Sequence, residues 1–200
     1  MAPYRSVHAF TVRFFPHSSV SLRWVVAAFA LLAALCWASP AWAVDSAVFA
    51  SGAGTEADPY LIENASQLAA FRDAVNAGDA CDGKYVALGA DVDLESAEWT
   101  PIGAGTRKSS GIAEGSTPFA GTFDGAGHTV SGLKITSTQG ADYAIGLFGI
   151  LDGATVKNLT VADAKIAVPQ SELAGILCGM LANDSTVSGC LLYTSPSPRD

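Results

Sequence analysis

Hydrophobic and polar residues along this 200-residue chain follow three distinct patterns. Near the start, Trp24 to Trp37 (WVVAAFALLAALCW) is an unbroken apolar run with no polar face. Further on, Leu68, Phe71 and Val75 recur at i, i+3 and i+7, the spacing of one helix face. Asn64 precedes them as an N-cap, Gln67 stands at the third helical position of a capping box, and Gly78 supplies a stop. This spacing predicts a helix from Ala65 to Ala77. After it the period falls to two. Lys84 to Leu88 and Ala90 to Leu94 alternate polar and apolar residues, as half-buried strands do, and Trp99-Thr100-Pro101-Ile102-Gly103 closes that unit. Asp58-Pro59-Tyr60-Leu61-Ile62 reads as a turn feeding a short strand, because Pro is tolerated at a strand start. Arg107 to Thr117 is polar and rich in Gly and Ser, and reads as a loop and insertion site.

From Phe119 onward the alternating pattern repeats. Thr129-Val130-Ser131-Gly132-Leu133-Lys134-Ile135 resembles Thr155-Val156-Lys157-Asn158-Leu159-Thr160-Val161, and Thr186-Val187-Ser188-Gly189 begins a third copy. The starts lie 26 and 31 residues apart. Gly146-Leu147-Phe148-Gly149-Ile150-Leu151 likewise matches Ile176-Leu177-Cys178-Gly179-Met180-Leu181. Self-similarity on this scale marks stacked units, none of which buries its apolar face alone. Strands this short with no helices between them point to a β-helix or β-solenoid. A propeller is the alternative, but its roughly four strands per blade barely fit the shorter spacing. Phe123, Leu133, Leu147, Phe148 and Leu159 are expected to point into the core, with His128 at a corner.

The two ends read differently from this body. The apolar run is 14 residues long, short of the roughly 20 that a membrane-spanning helix needs. Arg5, Arg13 and Arg23 precede it, and Ala38-Ser39-Pro40-Ala41-Trp42-Ala43 follows. A basic segment, an apolar run and an Ala-x-Ala exit make a secretory signal peptide, with cleavage expected after Ala43. Leu35 before Cys36 is too large for lipoprotein processing. The segment ahead of the run is long, and a start at Val20 through a GTG codon would leave a compact signal. At the other end, Cys190 to Asp200 (CLLYTSPSPRD) reads codon for codon as the transposase end of a sequencing-library adapter. The natural sequence is therefore expected to continue beyond Gly189. The organisation expected is a signal peptide at 1–43, a flexible lead-in at 44–56, stacked repeats at 57–189 and an adapter-derived tail at 190–200.

Charge and candidate chemistry narrow the function classes. Mean hydropathy is positive, +0.31, largely because of the apolar run. Between Val44 and Gly189 there are 7 Lys and Arg against 18 Asp and Glu, a net charge of −11. An acidic body argues against nucleic acid or an anionic membrane as partner. Cys81 and Cys178 show no disulfide-framework spacing and are expected as free thiols, although export permits a bridge. Asp91 and Asp93 stand one residue apart and so share a strand face; calcium binding or acid–base cleavage of a polysaccharide competes there with a plain solvated row. In Asp124-Gly125-Ala126-Gly127-His128, Asp and Gly suit a tight corner. His128 has no second His or Cys at ligand spacing, as zinc sites require. No hydrolase, zincin, phosphate-loop or dinucleotide motif occurs. No catalytic, cofactor-binding or metal-ligating residue is assigned, and no cofactor is expected.

One ordered series of motifs resembles a known family. Gly54-Thr55-Glu56-Ala57-Asp58-Pro59-Tyr60-Leu61-Ile62, Asp91-Val92-Asp93-Leu94, Trp99 to Gly103, Phe119 to Val130, Gly146-Leu147-Phe148-Gly149 and Val156-Lys157-Asn158-Leu159 follow the order of the GLUG-repeat surface proteins. The resemblance covers about Gly52 to Gly189. It implies an all-β fold, a right-handed parallel β-helix, here with one N-terminal capping helix and incomplete at its C-terminal end. It also implies a place on the surface of Gram-positive, often gut-dwelling, bacteria, in adhesin-like proteins or upstream of the metallopeptidase domain of some immunoglobulin A proteases.

The expectation is a non-catalytic secreted or cell-surface module, adhesin-like or a spacer, whose partners are extracellular glycans or host proteins. The alternatives are the non-catalytic front of a larger surface protease and a β-helix polysaccharide-degrading enzyme. The export reading has a direct check: Edman sequencing of protein recovered outside the cell should begin at Val44, whereas a mature chain that keeps Trp24 to Trp37 contradicts it.

Overall fold

The structure is a computed structural model that describes residues 48–137 and 140–193. The expected signal peptide and the tail beyond Tyr193 lie outside the described residues.

Asp58-Pro59 leads into β1 (Tyr60–Ile62), and the chain then enters α1 (Ala65–Asn76). The Asn64 side chain accepts from the Gln67 N–H at 3.0 Å, as its N-cap role requires. The Gln67 side chain accepts in turn from the Glu63 N–H at 2.7 Å, one residue further back than the usual reciprocal bond. The helix ends one residue earlier than its spacing predicts, with Ala77 as the C-cap.

The rest is β-structure in stacked parallel sheets. β2 (Tyr85–Leu88), β3 (Val92–Asp93), β6 (Thr122–Asp124), β7 (Thr129–Ser131), β8 (Lys134–Ile135) and β9 (Phe148–Asp152) are followed by β10 (Thr155–Lys157), β11 (Thr160–Ala162), β12 (Lys165–Ile166), β13 (Cys178–Ala182), β14 (Thr186–Ser188) and β15 (Leu191–Leu192). One sheet has the order β1-β2-β6-β10-β14 and a second β15-β11-β7-β3, while β8 pairs with β12 and β9 with β13. All of these pairings are parallel. From β2 onward the chain visits the same sheets in the same order on each circuit, while the helix takes the place of the other strands between β1 and β2. The described residues form a β-helix-like arrangement with no closed barrel.

The register revises the repeat. Thr155 pairs with Thr122, 33 residues earlier, and with Thr186, 31 residues later. Thr129 pairs with Thr160, not with Thr155. The 26-residue similarity therefore joins strands of two different sheets. Both strands read Thr-Val-polar, then a corner, then an inward Leu, so the same sequence pattern serves either sheet. The 31-residue and 30-residue spacings are true circuits: Cys178 pairs with Phe148, aligning the two Gly-Leu-Phe-Gly-like segments as expected.

Alternation sends one row inward from each sheet. Val86, Phe123 and Val156 stack in the first sheet, and Val92, Val130 and Val161 in the second; all are buried. Phe123, Leu133, Leu147, Phe148 and Leu159 are each 0 % exposed, as expected of core residues. The buried helix face of Leu68, Phe71 and Val75 joins this core. The Phe71 ring lies 5.8 Å from Phe119, edge-on, and 6.1 Å from Phe123. At the helix end, the Asn76 side chain donates to the Pro101 carbonyl and accepts from Gly103 and Ala104 N–H. This pins the Trp-Thr-Pro-Ile-Gly segment to the helix. On the last circuit the same inward rows are open: Val187 is 39 % and Leu192 47 % exposed.

One detail differs from the sequence expectation. The Arg107–Thr117 loop contains an antiparallel hairpin, β4 (Arg107–Lys108) with β5 (Gly111–Ile112). It bulges out between Ile102 and Phe119, which bridge to Phe148 and Leu151 of one strand. Gly149 lies inside β9, and Gly146 stands two residues before that strand. A Cβ on Gly149 would lie 2.6 Å from the Gly103 carbonyl oxygen, and one on Gly146 2.6 Å from that of Gly175. These glycines let successive circuits approach closely. Among the described residues no helix is long and apolar enough to cross a membrane.

Truncating Phe123 to Ala should cost about 3–5 kcal/mol, because its ring meets Phe71 and Phe148 in a closed core. His128→Ala should be milder. Thermal and urea melts of both variants check the order, and a greater loss for His128→Ala would contradict the inside–outside assignment.

Candidate functional site

The titratable groups singled out in the sequence gather at the corners between strands, where each circuit meets the next. Asp91 stands just before β3, and its Oδ1 accepts from the Thr129 N–H at 2.9 Å. The same oxygen lies 3.2 Å from His128 Nδ1. The structure therefore joins Asp91 and His128, which are 37 residues apart in sequence. It does not use Asp91 and Asp93 as a pair: the Asp93 carboxylate accepts locally from the Glu95 N–H at 2.8 Å.

The Asp124 to His128 segment is the corner between β6 and β7, as its residue types predict. Asp124 Oδ1 accepts from the Ala126 N–H at 2.8 Å, and Ala126 has a positive φ of 51°. The His128 N–H closes the bend on the Gly125 carbonyl. Asp124 also accepts from Asn158 at 3.1 Å and pairs with Lys157 at 3.4 Å, both on the following circuit. Asp152 accepts from Asn183 at 2.6 Å in the same manner.

Glu98, unmarked by any motif, is held most firmly. Its carboxylate accepts from the Thr136 and Ser137 N–H groups at 2.6 and 2.8 Å and from the Thr136 hydroxyl at 2.9 Å. These donors stand 38 and 39 residues downstream, so no local signal in the sequence points to the contact.

Hydrogen bonds to the charged form favour it. The Thr136 and Ser137 backbone donors lower Glu98 from its ordinary 4.5 to about 2. The Thr129 N–H, followed by His128, holds Asp91 below the usual carboxylate range. Partial desolvation works against Asp124, but the Ala126 N–H, Asn158 and Lys157 outweigh it and lower its carboxyl. The thiols move the other way. Burial, with Asp79 nearby, pushes Cys81 up to about 12, and burial raises Cys178. Both are free thiols, and a thiol so far from its thiolate is a poor nucleophile.

What this arrangement does chemically is join circuits. Asp91 and His128 form a dyad at an exposed corner, with side chains 74 % and 35 % exposed. Among the described residues no three His, Cys, Asp or Glu side chains gather closely enough to hold a metal ion. The concave features do not include this dyad. A depression of about 320 Å³ sits on the outer face of the first sheet, lined by Glu56, Pro59, Tyr85, Thr122, Asp124 and Lys157 among others. Two more, of about 290 and 470 Å³, flank the hairpin. Arg107 pairs there with Asp142 at 3.3 Å and Glu172 at 3.1 Å.

No family model matches the sequence. The chain is 36% identical over 137 residues to a protein of Evansella cellulosilytica named as a Gly-rich membrane protein, a match spanning 68% of this chain and 15% of the relative. It is 32% identical over 132 residues to the halomucin of Haloquadratum walsbyi, across 62% of this chain and 1% of that protein. The chain thus spans a small part of the length of these relatives. A solved structure from Bacteroides ovatus, named as an immunoglobulin A1 protease, overlays with a TM-score of 0.46 at 21% identity, covering 78% of this chain and 49% of that one. A likeness of that order fixes no activity.

The corner carboxylates carry a pH dependence whose sign follows from their lowered values. A depressed carboxyl stabilises the fold fully above its unfolded value and loses that contribution as pH falls toward its folded value. For Glu98 the window runs from 4.5 down to about 2. Melting temperature should fall across that window in the unaltered protein. Glu98→Gln should flatten the fall, with calorimetry from pH 6 to pH 2 as the check.

Proposed function

We propose that this chain is part of an exported, non-catalytic surface module of the GLUG-repeat type, folded as a right-handed parallel β-helix and acting as an adhesin-like element or spacer. One observation carries the reading. Asp91, Glu98 and His128 are engaged between circuits at exposed corners, and Asp124, which lines the depression on the outer face, is already held by the Ala126 N–H, Asn158 and Lys157. Catalytic groups are instead expected in a concave site with values shifted toward their working pH, whereas Asp91, Glu98 and Asp124 are shifted away from neutrality. The net charge of −11 between Val44 and Gly189 favours solubility and repels polyanions. A relative named as a membrane protein supports a place at the cell envelope, and the expected signal peptide supplies the route.

The outer faces of the parallel sheets are the surfaces such a module offers to glycans or host proteins. Surface proteolysis and immunogold labelling of producing cells should find the chain outside the membrane. Incubation with polysaccharides and with immunoglobulin A should leave both intact. Cleavage of either that disappears in Asp91→Asn or His128→Ala would overturn the non-catalytic reading.

A further inference from the structure

The depression on the outer face of the first sheet has a composition that a plain spacer does not require. The register places Leu61, Ala87, Asp124 and Lys157 in one outward row across four strands. Tyr85, Thr122, Thr155 and Thr186 form the adjacent row. Ala87 is the smallest side chain of its row, so the face dips there. The lead-in residues Glu56 and Pro59 bound the dip on one side and corner residue Ala126 on another, enclosing about 320 Å³. That is the lower end of the range for small-molecule sites, about 300–1,000 Å³.

The lining divides by polarity. Leu61, Pro59 and Tyr85 supply apolar and aromatic surface, while Thr122, Asp124 and Lys157 supply a hydroxyl, an acceptor and a donor. Asp124 Oδ2 and Lys157 Nζ stand 3.4 Å apart, presenting an acceptor beside a donor. A pyranose ring has the matching division: a C–H face that packs on apolar and aromatic surface, and an edge of neighbouring hydroxyls that both donate and accept. The acidic body and Glu56 at the rim disfavour uronic and sulfated sugars by like-charge repulsion. Beyond the dip, the Thr155 and Thr186 hydroxyls, 3.1 Å apart, continue a polar row across successive strands. A second sugar has hydroxyl partners there.

We infer that this depression binds a pyranose unit of a neutral extracellular glycan, with the ring over Ala87 and its hydroxyl edge toward Thr122, Asp124 and Lys157. The inference rests on the reading of the chain as a surface module and assigns that module a ligand class and a site.

The test titrates the full chain by calorimetry with cellohexaose, xylohexaose and N-acetylchitohexaose, and with polygalacturonate and oligolysine as charged comparators. At least one neutral hexaose should bind, and polygalacturonate should not. Ala87→Leu, which fills the dip without removing a polar group, should weaken that hexaose at least tenfold. Thr122→Val should weaken it at full stability even where the Leu substitution disturbs folding. Ala162→Leu, on the second sheet, should leave binding intact. Equal affinity in Ala87→Leu and Thr122→Val would overturn the site, as would binding of oligolysine or polygalacturonate in preference to every neutral hexaose. A wild-type chain that is exposed on cells but binds no hexaose also overturns the site and leaves the spacer reading standing. Cleavage of a hexaose would instead overturn the non-catalytic reading itself.

Discussion

Parallel pairing of each circuit on the one before it, in nearly constant register, is the constraint on which the rest of this structure depends. Strands of two to five residues bury too little surface to stand alone, so stability comes from rows rather than strands. Val86 needs Phe123 above it and Phe123 needs Val156. Such rows tolerate extra residues only where the chain leaves a strand. The corner at Gly125 to His128 has four residues where the next circuit has Asn158 and Leu159 alone, yet Thr129 still pairs with Thr160. The hairpin Arg107–Ile112 is absorbed in the same way, with Ile102 and Phe119 on either side still bridged to β9.

The stacking also explains where the charged groups sit. A corner takes backbone N–H groups out of the ladder, and these need acceptors. Carboxylates on the neighbouring circuit supply them: Asp91 to Thr129, and Glu98 to Thr136 and Ser137. Charge-assisted bonds of this kind favour the ionised form, which is why the same contacts that join circuits lower the carboxyl values. Structure and chemistry compete here for one set of side chains. Asp91 and Glu98 are occupied between circuits, and the face left open is the outer one, with the depression that Asp124 and Lys157 line.

Closure differs between the two ends of the described body. At the first circuits the helix lays Leu68, Phe71 and Val75 against the core, with Phe71 touching Phe49, Phe119 and Phe123. At the last, Leu191 and Leu192 still pair with β11 while their side chains are open to solvent. An edge strand presents unpaired N–H and C=O groups, and Leu191 and Leu192 meet those of β11 through their backbone.

The sequence alone was enough to determine the helix, the strand alternation, the inward residues and the corner at Asp124 to His128. All of these depend on contacts within a few positions: capping at Asn64 and Gln67, a period of two, and Asp and Gly at a bend. Of the repeats it displayed, the Gly-Leu-Phe-Gly copies and the second pair of Thr-Val copies are true circuits, and the first pair of Thr-Val copies is not. The tertiary structure alone decided which sheet each copy joins, because Thr-Val-polar strands suit any sheet and only stacking distinguishes them. That decision brings Asp91 to His128, Glu98 to Thr136, and Tyr85 with Ala87 to Thr122 with Asp124. Each of these contacts joins residues more than thirty positions apart, and the register that unites them is a property of the stacked circuits rather than of any one segment.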